Sequence, residues 1–209
     1  MTHPALSITD LSSRVSALME RSIDLKRQVL TTEIPTITAQ MAQRCAASIA
    51  AGGKLLLCGN GGSAADVQHL AAELLVRLRP KINRQGIPAI ALAMDSSSMT
   101  ACANDYSYDS FYARMTQALG RPGDVLIGIT TSGVSPNVIA ALQAARAMGM
   151  QTMGLLGGTG GEALQWCDLA IVVPSRETGR IQEVHITVGH ALMEAIEDIL
   201  LEQGVITCL

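Results

Sequence analysis

Aromatic side chains are almost missing from this chain. Trp166, Phe111, Tyr106, Tyr108 and Tyr112 are all it has among 209 residues, so Ala, Leu, Ile, Val and ten Met must fill the interior. Charge is thin as well: 16 % of residues are Asp, Glu, Lys or Arg, with a net charge of −3. That balance leaves no basic footprint for nucleic acid or anionic lipid. No apolar run approaches the ~18 residues of a membrane span. Residues 1–10 lack a basic stretch followed by an apolar one, so no secretion signal is expected. Cys45, Cys58, Cys102, Cys167 and Cys208 are odd in number and never form a CxxC pair. They predict reduced thiols in a cytoplasmic protein rather than a disulfide frame or a zinc knot. What the chain does have is 48 % hydrophobic residues, which excludes disorder and supplies a core. Its length fits one domain, or one domain with an appended helical segment.

The first fifty residues read as helix. Leu11, Val15, Leu18, Ser22, Leu25 and Val29 fall at alternating steps of four and three, the spacing of a helix seam, with Thr9 or Asp10 as the expected cap. A second helix starts near Glu33–Pro35 and runs through Ile37, Met41, Cys45 and Ile49 to a stop at Gly52-Gly53. Their apolar face packs on the chain's own sheet or pairs with copies from other subunits. We divide the chain into N-terminal helices (1–52) and a body (53–209) that form one structural unit.

From Lys54 the pattern changes. Short apolar runs at Leu55–Cys58, Pro88–Met94, Val125–Ile129, Thr152–Leu156 and Leu169–Val173 alternate with helical patterns. The helical stretches are Ala64–Leu78, Ser97–Ala103, Phe111–Leu119, Asn137–Met148, Gly161–Trp166 and a last one from about Ile181 to Gln203. Continuous apolar strands predict burial on both faces, hence a parallel sheet wound with helices. The expected fold is α/β, three layers around five parallel strands.

Ligands in such folds bind in the loops that leave the C-terminal ends of strands. Two of those loops are prepared for an anion. Gly59-Asn60-Gly61-Gly62-Ser63 follows a strand and opens a helix, where glycine admits close backbone approach and free N–H groups favour negative charge. The stretch from Thr130 to Asn137 (TTSGVSPN) offers four hydroxyls with no fixed charge, which suits a phosphate monoester. Gly59-x-Gly61-x-x-Ala64 also matches the dinucleotide fingerprint. However, that fingerprint expects an acid ~20 positions on, and the strand-end acid here is Asp95, more than thirty beyond Gly61.

His69 and Glu73 lie four apart on the helix that opens at the glycine loop, so they share a face. Gln182 and His190 lie eight apart on the last helix. Together the four could form a mixed N/O site for a divalent ion such as zinc, or remain separate solvated or packed side chains. His185 competes with His190 on spacing alone, and His3 falls in an expected tail.

The chain resembles the phosphoheptose (sedoheptulose-7-phosphate) isomerases of the SIS, or sugar-isomerase, domain superfamily. The likeness runs through GNGGSAADVQHLAAEL (Gly59–Leu74), ALAMDSSSMTACANDYSYDSFYARM (Ala91–Met115), GRPGDVLIGITTSGVSPNV (Gly120–Val138) and RIQEVHITVGH (Arg180–His190). It implies a flavodoxin-like SIS fold with a five-stranded parallel sheet and a homotetramer built on the helical bundle, with active sites shared between subunits. It also implies conversion of sedoheptulose 7-phosphate to D-glycero-D-manno-heptose 7-phosphate, towards the nucleotide-activated heptose of lipopolysaccharide. Carried over by position, zinc ligands fall on His69, Glu73, Gln182 and His190, one ion per subunit with full or partial occupancy. Substrate contacts fall on Asn60, Gly61, Gly62, Ser63, Glu73, Asn104, Asp105, Thr130, Thr131, Ser132, Ser135 and Gln182. Thr130-Thr131 replaces the usual Ser-Thr, the stretch Arg77–Gly86 is longer than typical, and Gly179 precedes Arg180 where Ala, Pro or Asp is commoner.

Aldose–ketose isomerisation through an enediol needs a base, an acid and oxyanion stabilisation, with no nucleotide cofactor. Glu73 is the expected base and His190 the acid. A carboxylate held on zinc is a poor base, so either these groups leave the ion during turnover or the metal is an activator. The alternative activity is a non-catalytic regulator of the DnaA initiator-associating type. Members of that branch look like emptied versions of this site, lacking the acid at Glu73 and the imidazole at His190.

Overall fold

The computed structural model describes residues 7–209. The chain runs α1 (Ile8–Leu30), α2 (Ile34–Ala50), β1 (Leu55–Gly59), α3 (Gly62–Ala72), β2 (Ala89–Ala91), α4 (Ser96–Asp105) and α5 (Phe111–Leu119). It continues β3 (Val125–Thr130), α6 (Pro136–Ala147), β4 (Gln151–Gly157), β5 (Leu169–Val173) and α7 (Thr178–Glu202). The five strands form one parallel sheet in the order β2-β1-β3-β4-β5, as the apolar runs predict. Every residue of β1 and β3 is buried. Alternate side chains of β1 serve opposite faces: Leu55 and Leu57 join α1, α2, α3 and α7, while Leu56 and Cys58 join α4, α5 and α6. Burial of Cys45 and Cys58 pushes both thiols up to about 12, so they pack as small hydrophobes.

Several boundaries differ from the sequence reading, each for a local reason. The cap of α1 is Ser7, not Thr9 or Asp10; Asp10 is the third helical residue and closes a reciprocal capping box with Ser7. The run Pro88–Met94 yields only three strand residues because it forms the sheet edge, and Asp95 then turns its carboxylate onto the N–H groups of Ser97 and Ser98 to cap α4. Those hydrogen bonds hold its pKa below the ordinary carboxylate value. Asp95 is therefore committed to a helix end rather than to a ribose. Gly161–Trp166 forms a short 3₁₀ turn over Glu162–Trp166. The Ala64–Leu78 pattern divides into α3, which starts at Gly62, and a π-turn over Glu73–Arg77. The last helix begins three residues before Ile181. No helix among the described residues is long and apolar enough to cross a membrane.

Only Leu25 and Val29 of the α1 seam are buried. Leu11, Val15 and Leu18 are exposed, with Ile8, Met19 and Leu30 beside them. By contrast α2 belongs to the core through Met41, Ala42, Cys45 and Ala46.

His185 is removed from the list of candidate ligands by burial. It lies inside, its Nε2–H donating to the Leu156 carbonyl at 2.9 Å. Desolvation pushes its pKa down from 6.5 to about 4. Below pH 6.5 the unfolded chain binds a proton that the fold refuses, so this contribution to stability is complete above pH 6.5 and lost as pH falls towards 4. The loss is at most about 3 kcal/mol. Urea unfolding between pH 7 and 4 should show that slope in the parent and a flatter one in His185→Gln; equal slopes would contradict it.

Candidate active site

The strand order reverses between β1 and β3, and the loops leaving these two strands carry both anion-ready motifs. Gly61 caps α3 with φ +56°, a left-handed conformation that glycine takes without Cβ strain. In the second loop Gly133 has φ +70°, and its backbone lies so close to Gly160 that a Cβ would overlap the Gly160 carbonyl oxygen. The two loops are tied together by a reciprocal amide pair. Asn60 Nδ2 donates to Asn137 Oδ1 and Asn137 Nδ2 donates to Asn60 Oδ1, both at 2.8 Å. Tyr108 adds its hydroxyl to Asn60 Oδ1 at 2.8 Å.

Within the second loop the hydroxyls divide their work. Thr130 is buried, with its Oγ1 2.9 Å from Ser135 Oγ and accepting from the Gly133 N–H at 3.2 Å. It braces the turn. Ser132 is exposed and Thr131 and Ser135 half-buried, and Thr131 and Ser132 line a cavity of about 220 Å³ with Gly158, Thr159 and Arg176.

The second feature is an imidazole–carboxylate cluster between α3 and α7. His69 Nε2 and His190 Nε2 are 2.7 Å apart, with the rings nearly perpendicular at 79°. Glu73 Oε1 lies 3.3 Å from His69 Nε2. One donor atom from each residue falls within 4.8 Å of the others. Glu73 is the first residue of the π-turn, and such turns widen a helix and re-aim its side chains.

The donor set fits zinc: two imidazole nitrogens and a carboxylate oxygen, all borderline-to-hard ligands. Asp66, three residues before His69, strengthens the case. Its Oδ2 is buried with no hydrogen-bond partner among the described residues. Burial pushes its pKa up, while His69 and His190 pull it back. Positive charge on the cluster would favour its ionised form. The rings must part to take a cation, since tetrahedral ligand atoms on bonds of ~2.0–2.1 Å stand about 3.3 Å apart.

The structure thus brings together His69, Glu73 and His190. Gln182 lies at the other end of the crevice, its amide against Gly62 at the start of α3. Ser63 is buried in the first turn of that helix. Asn104 and Asp105 are exposed at the end of α4, where Asn104 donates to Asp105 Oδ1 at 2.8 Å. Sequence reasoning missed Asp66, Tyr108 and Asn137. Asp66 shares the helix face of His69 and Glu73 and was findable by spacing; the other two are visible only through contacts distant in sequence.

Gly133 and Gly158 separate two costs. Gly158 also has a positive φ, but a Cβ there meets nothing nearer than 3.9 Å. Gly158→Ala should cost about 1–2 kcal/mol of unfolding free energy from left-handed strain alone. Gly133→Ala adds the overlap with Gly160, so it should cost more and also weaken phosphate binding by roughly tenfold. Denaturant unfolding and a phosphate titration read the two effects, and equal behaviour of the two variants would refute the distinction.

Residues 18–157 match the family model for the SIS domain. The phosphoheptose isomerase of Roseiflexus sp. (strain RS-1) is 54 % identical over 185 residues, covering 88 % of this chain and 92 % of the relative. Among solved structures, phosphoheptose isomerase GmhA from Neisseria gonorrhoeae superposes with a TM-score of 0.83 at 40 % identity, covering 90 % of this chain and 99 % of that one. A phosphoheptose isomerase from Francisella tularensis gives 0.85 at 34 %, covering 89 % and 97 %. Sheet, crevice and kinship agree: the chain belongs to the phosphoheptose isomerases of the SIS domain family.

Proposed function

We propose that this isomerase converts sedoheptulose 7-phosphate to D-glycero-D-manno-heptose 7-phosphate in the cytoplasm, supplying the heptose of lipopolysaccharide. The observation that carries the site assignment is the convergence of His69, Glu73 and His190 from two helices at 2.7 and 3.3 Å. A regulator that only bound a partner would have no use for this cluster.

The loop residues Thr131, Ser132 and Ser135, with the N–H groups at the start of α6, hold the phosphate. Thr130 shapes that loop from within. Asn60, Gly61, Gly62 and Ser63 form the facing wall, and Asn104 and Asp105 reach sugar hydroxyls from the rim. His69 is seven residues along α3 from Gly62, about 10 Å at 1.5 Å per residue. Anchoring one end of the sugar and reacting at the other therefore selects a long open-chain substrate. Glu73 removes the proton at one carbon of the C1–C2 pair and returns it to the other. His190 delivers a proton to the C2 carbonyl oxygen as the enediol forms and takes one back from the C1 hydroxyl as the aldehyde forms. His69, Glu73 and His190 would hold zinc, while Gln182, its amide against Gly62, would hold the sugar. Bound there, the ion would supply positive charge for the developing oxyanion.

Kinetics should split the two ends of the crevice. Glu73→Gln keeps size and should lower kcat by ~10²–10⁴-fold with little change in circular dichroism. Ser132→Ala should raise KM roughly ten- to a hundredfold, the loss of one hydroxyl donor to a charged partner. Ribose 5-phosphate and fructose 6-phosphate, being shorter, should be poor substrates. Parent-like kcat in Glu73→Gln would end this mechanism; an inactive parent that bound a replication initiator would restore the regulator.

We further propose a homotetramer assembled through the N-terminal helices, with active sites shared between subunits. The exposed α1 residues Leu11, Val15 and Leu18 support it, as does a groove of about 470 Å³ lined by Val29, Ile34, Val184, Val188 and Ala191. Light scattering should give four subunits for the parent and smaller species for Val15→Glu/Leu18→Glu. A stable monomeric parent at micromolar concentration would exclude the assembly.

A further inference from the structure

Two charges lie buried behind the catalytic cluster. Glu197 sits on α7 seven residues beyond His190 and is 1 % exposed; Arg84, in the segment between the π-turn and β2, is 5 % exposed. Arg84 Nε donates to Glu197 Oε2. The other guanidinium nitrogens turn towards the π-turn: Nη2 donates to the Glu73 carbonyl at 2.9 Å and Nη1 to the Leu74 carbonyl at 2.8 Å, with a further bond to the Gln85 carbonyl at 2.9 Å. Glu197 Oε1 accepts from Arg79 Nε at 2.6 Å, and Arg79 reaches on to Asp198.

One guanidinium therefore joins the backbone of Glu73 to the helix that carries His190. A π-turn leaves its first carbonyls out of the regular i to i+4 pattern, and these are the ones Arg84 takes. Arginine's planar fork suits the task because it can serve a carboxylate and two carbonyls at once.

We propose that Arg84 and Glu197 are positioning residues for the isomerase reaction, fixing the Glu73 carboxylate against His69 and His190. The inference rests on the reading that Glu73 and His190 perform the chemistry. Simple stabilisation is a weak explanation, because a buried ion pair is often matched or bettered by apolar residues of similar volume. What an apolar pair cannot do is hold two carbonyls of the π-turn in register with α7.

The test uses the full-length chain with Glu197→Gln, Arg84→Lys and the apolar double variant Arg84→Met/Glu197→Leu. Thermal unfolding, kcat and KM for sedoheptulose 7-phosphate, and zinc affinity by competition with a chromophoric chelator are read for each. The apolar pair should stay folded near the parent Tm, lose 10–100-fold in kcat with KM within about twofold, and bind zinc 10–100-fold more weakly. Arg84→Lys, which keeps the charge but not the fork, should not rescue kcat. Parent-like kcat and zinc affinity in the folded apolar pair, or in folded Glu197→Gln, would overturn the proposal. So would unfolding of all three variants, which would make the pair a folding element. Glu73→Gln run alongside separates the two readings: if it keeps parent activity the catalytic assignment fails, while zinc affinity still reports on positioning.

Discussion

The crevice exists because β1 and β3 are neighbours without being consecutive. Each parallel strand must be followed by a crossover that leaves its C-terminal end, and the two crossovers part company here. Helix α3 leaves β1 for the face shared with α2 and α7, while α6 leaves β3 for the face shared with α4 and α5. The two crossovers also lead to opposite edges of the sheet, from β1 to β2 and from β3 to β4, and that divergence opens the gap. Both helix N-termini point their free N–H groups at that gap. The Asn60–Asn137 amide pair then spans it, so the loops are separate in chain path but rigidly related in space.

The chain's poverty in charge takes on a purpose at this point. No lysine or arginine belongs to the Thr130–Asn137 loop itself, which offers hydroxyls and backbone dipoles; the cation that lines its cavity, Arg176, comes from the segment after β5. Neutral donors hold a phosphate through geometry more than through long-range attraction, so they define its position and leave its release uncostly. Charge is concentrated instead at the far end, on α3 and α7. The crevice therefore has a hydroxyl-rich loop at one end and imidazoles with a carboxylate at the other.

Much of this was readable in advance, because it depends on local pattern. Continuous apolar runs gave five strands, and the glycine and hydroxyl motifs fall in the loops that leave β1 and β3. The spacing of four gave His69 beside Glu73, whereas the spacing of eight left Gln182 at Gly62, apart from His190. The helix α1 forms where its spacing predicts, but on the single chain only Leu25 and Val29 of its seam are buried. What stayed hidden depends on three-dimensional proximity. Helical periodicity cannot reveal the change to a π-turn at Glu73, since the same residues suit either turn. Arg84 and Glu197 are 113 positions apart and read as ordinary surface charges until burial is known. His185 and His190 are equivalent by spacing class; only the Leu156 carbonyl distinguishes them. Asp95 looked like a strand-end acid, and its true partners are the two backbone N–H groups just after it.

The imidazole pair also clarifies the conflict between metal ligand and catalytic group. At 2.7 Å, the Nε2 atoms of His69 and His190 lie within hydrogen-bond distance. The same two ring nitrogens would be needed to bind a cation, so this contact and a metal compete for one position. Glu73 sits at the edge of this cluster, 3.3 Å from His69, while Arg84 holds its main-chain carbonyl at 2.9 Å. The fold thus restrains the backbone beneath Glu73 from the side of α7 and keeps its carboxylate within reach of both imidazoles.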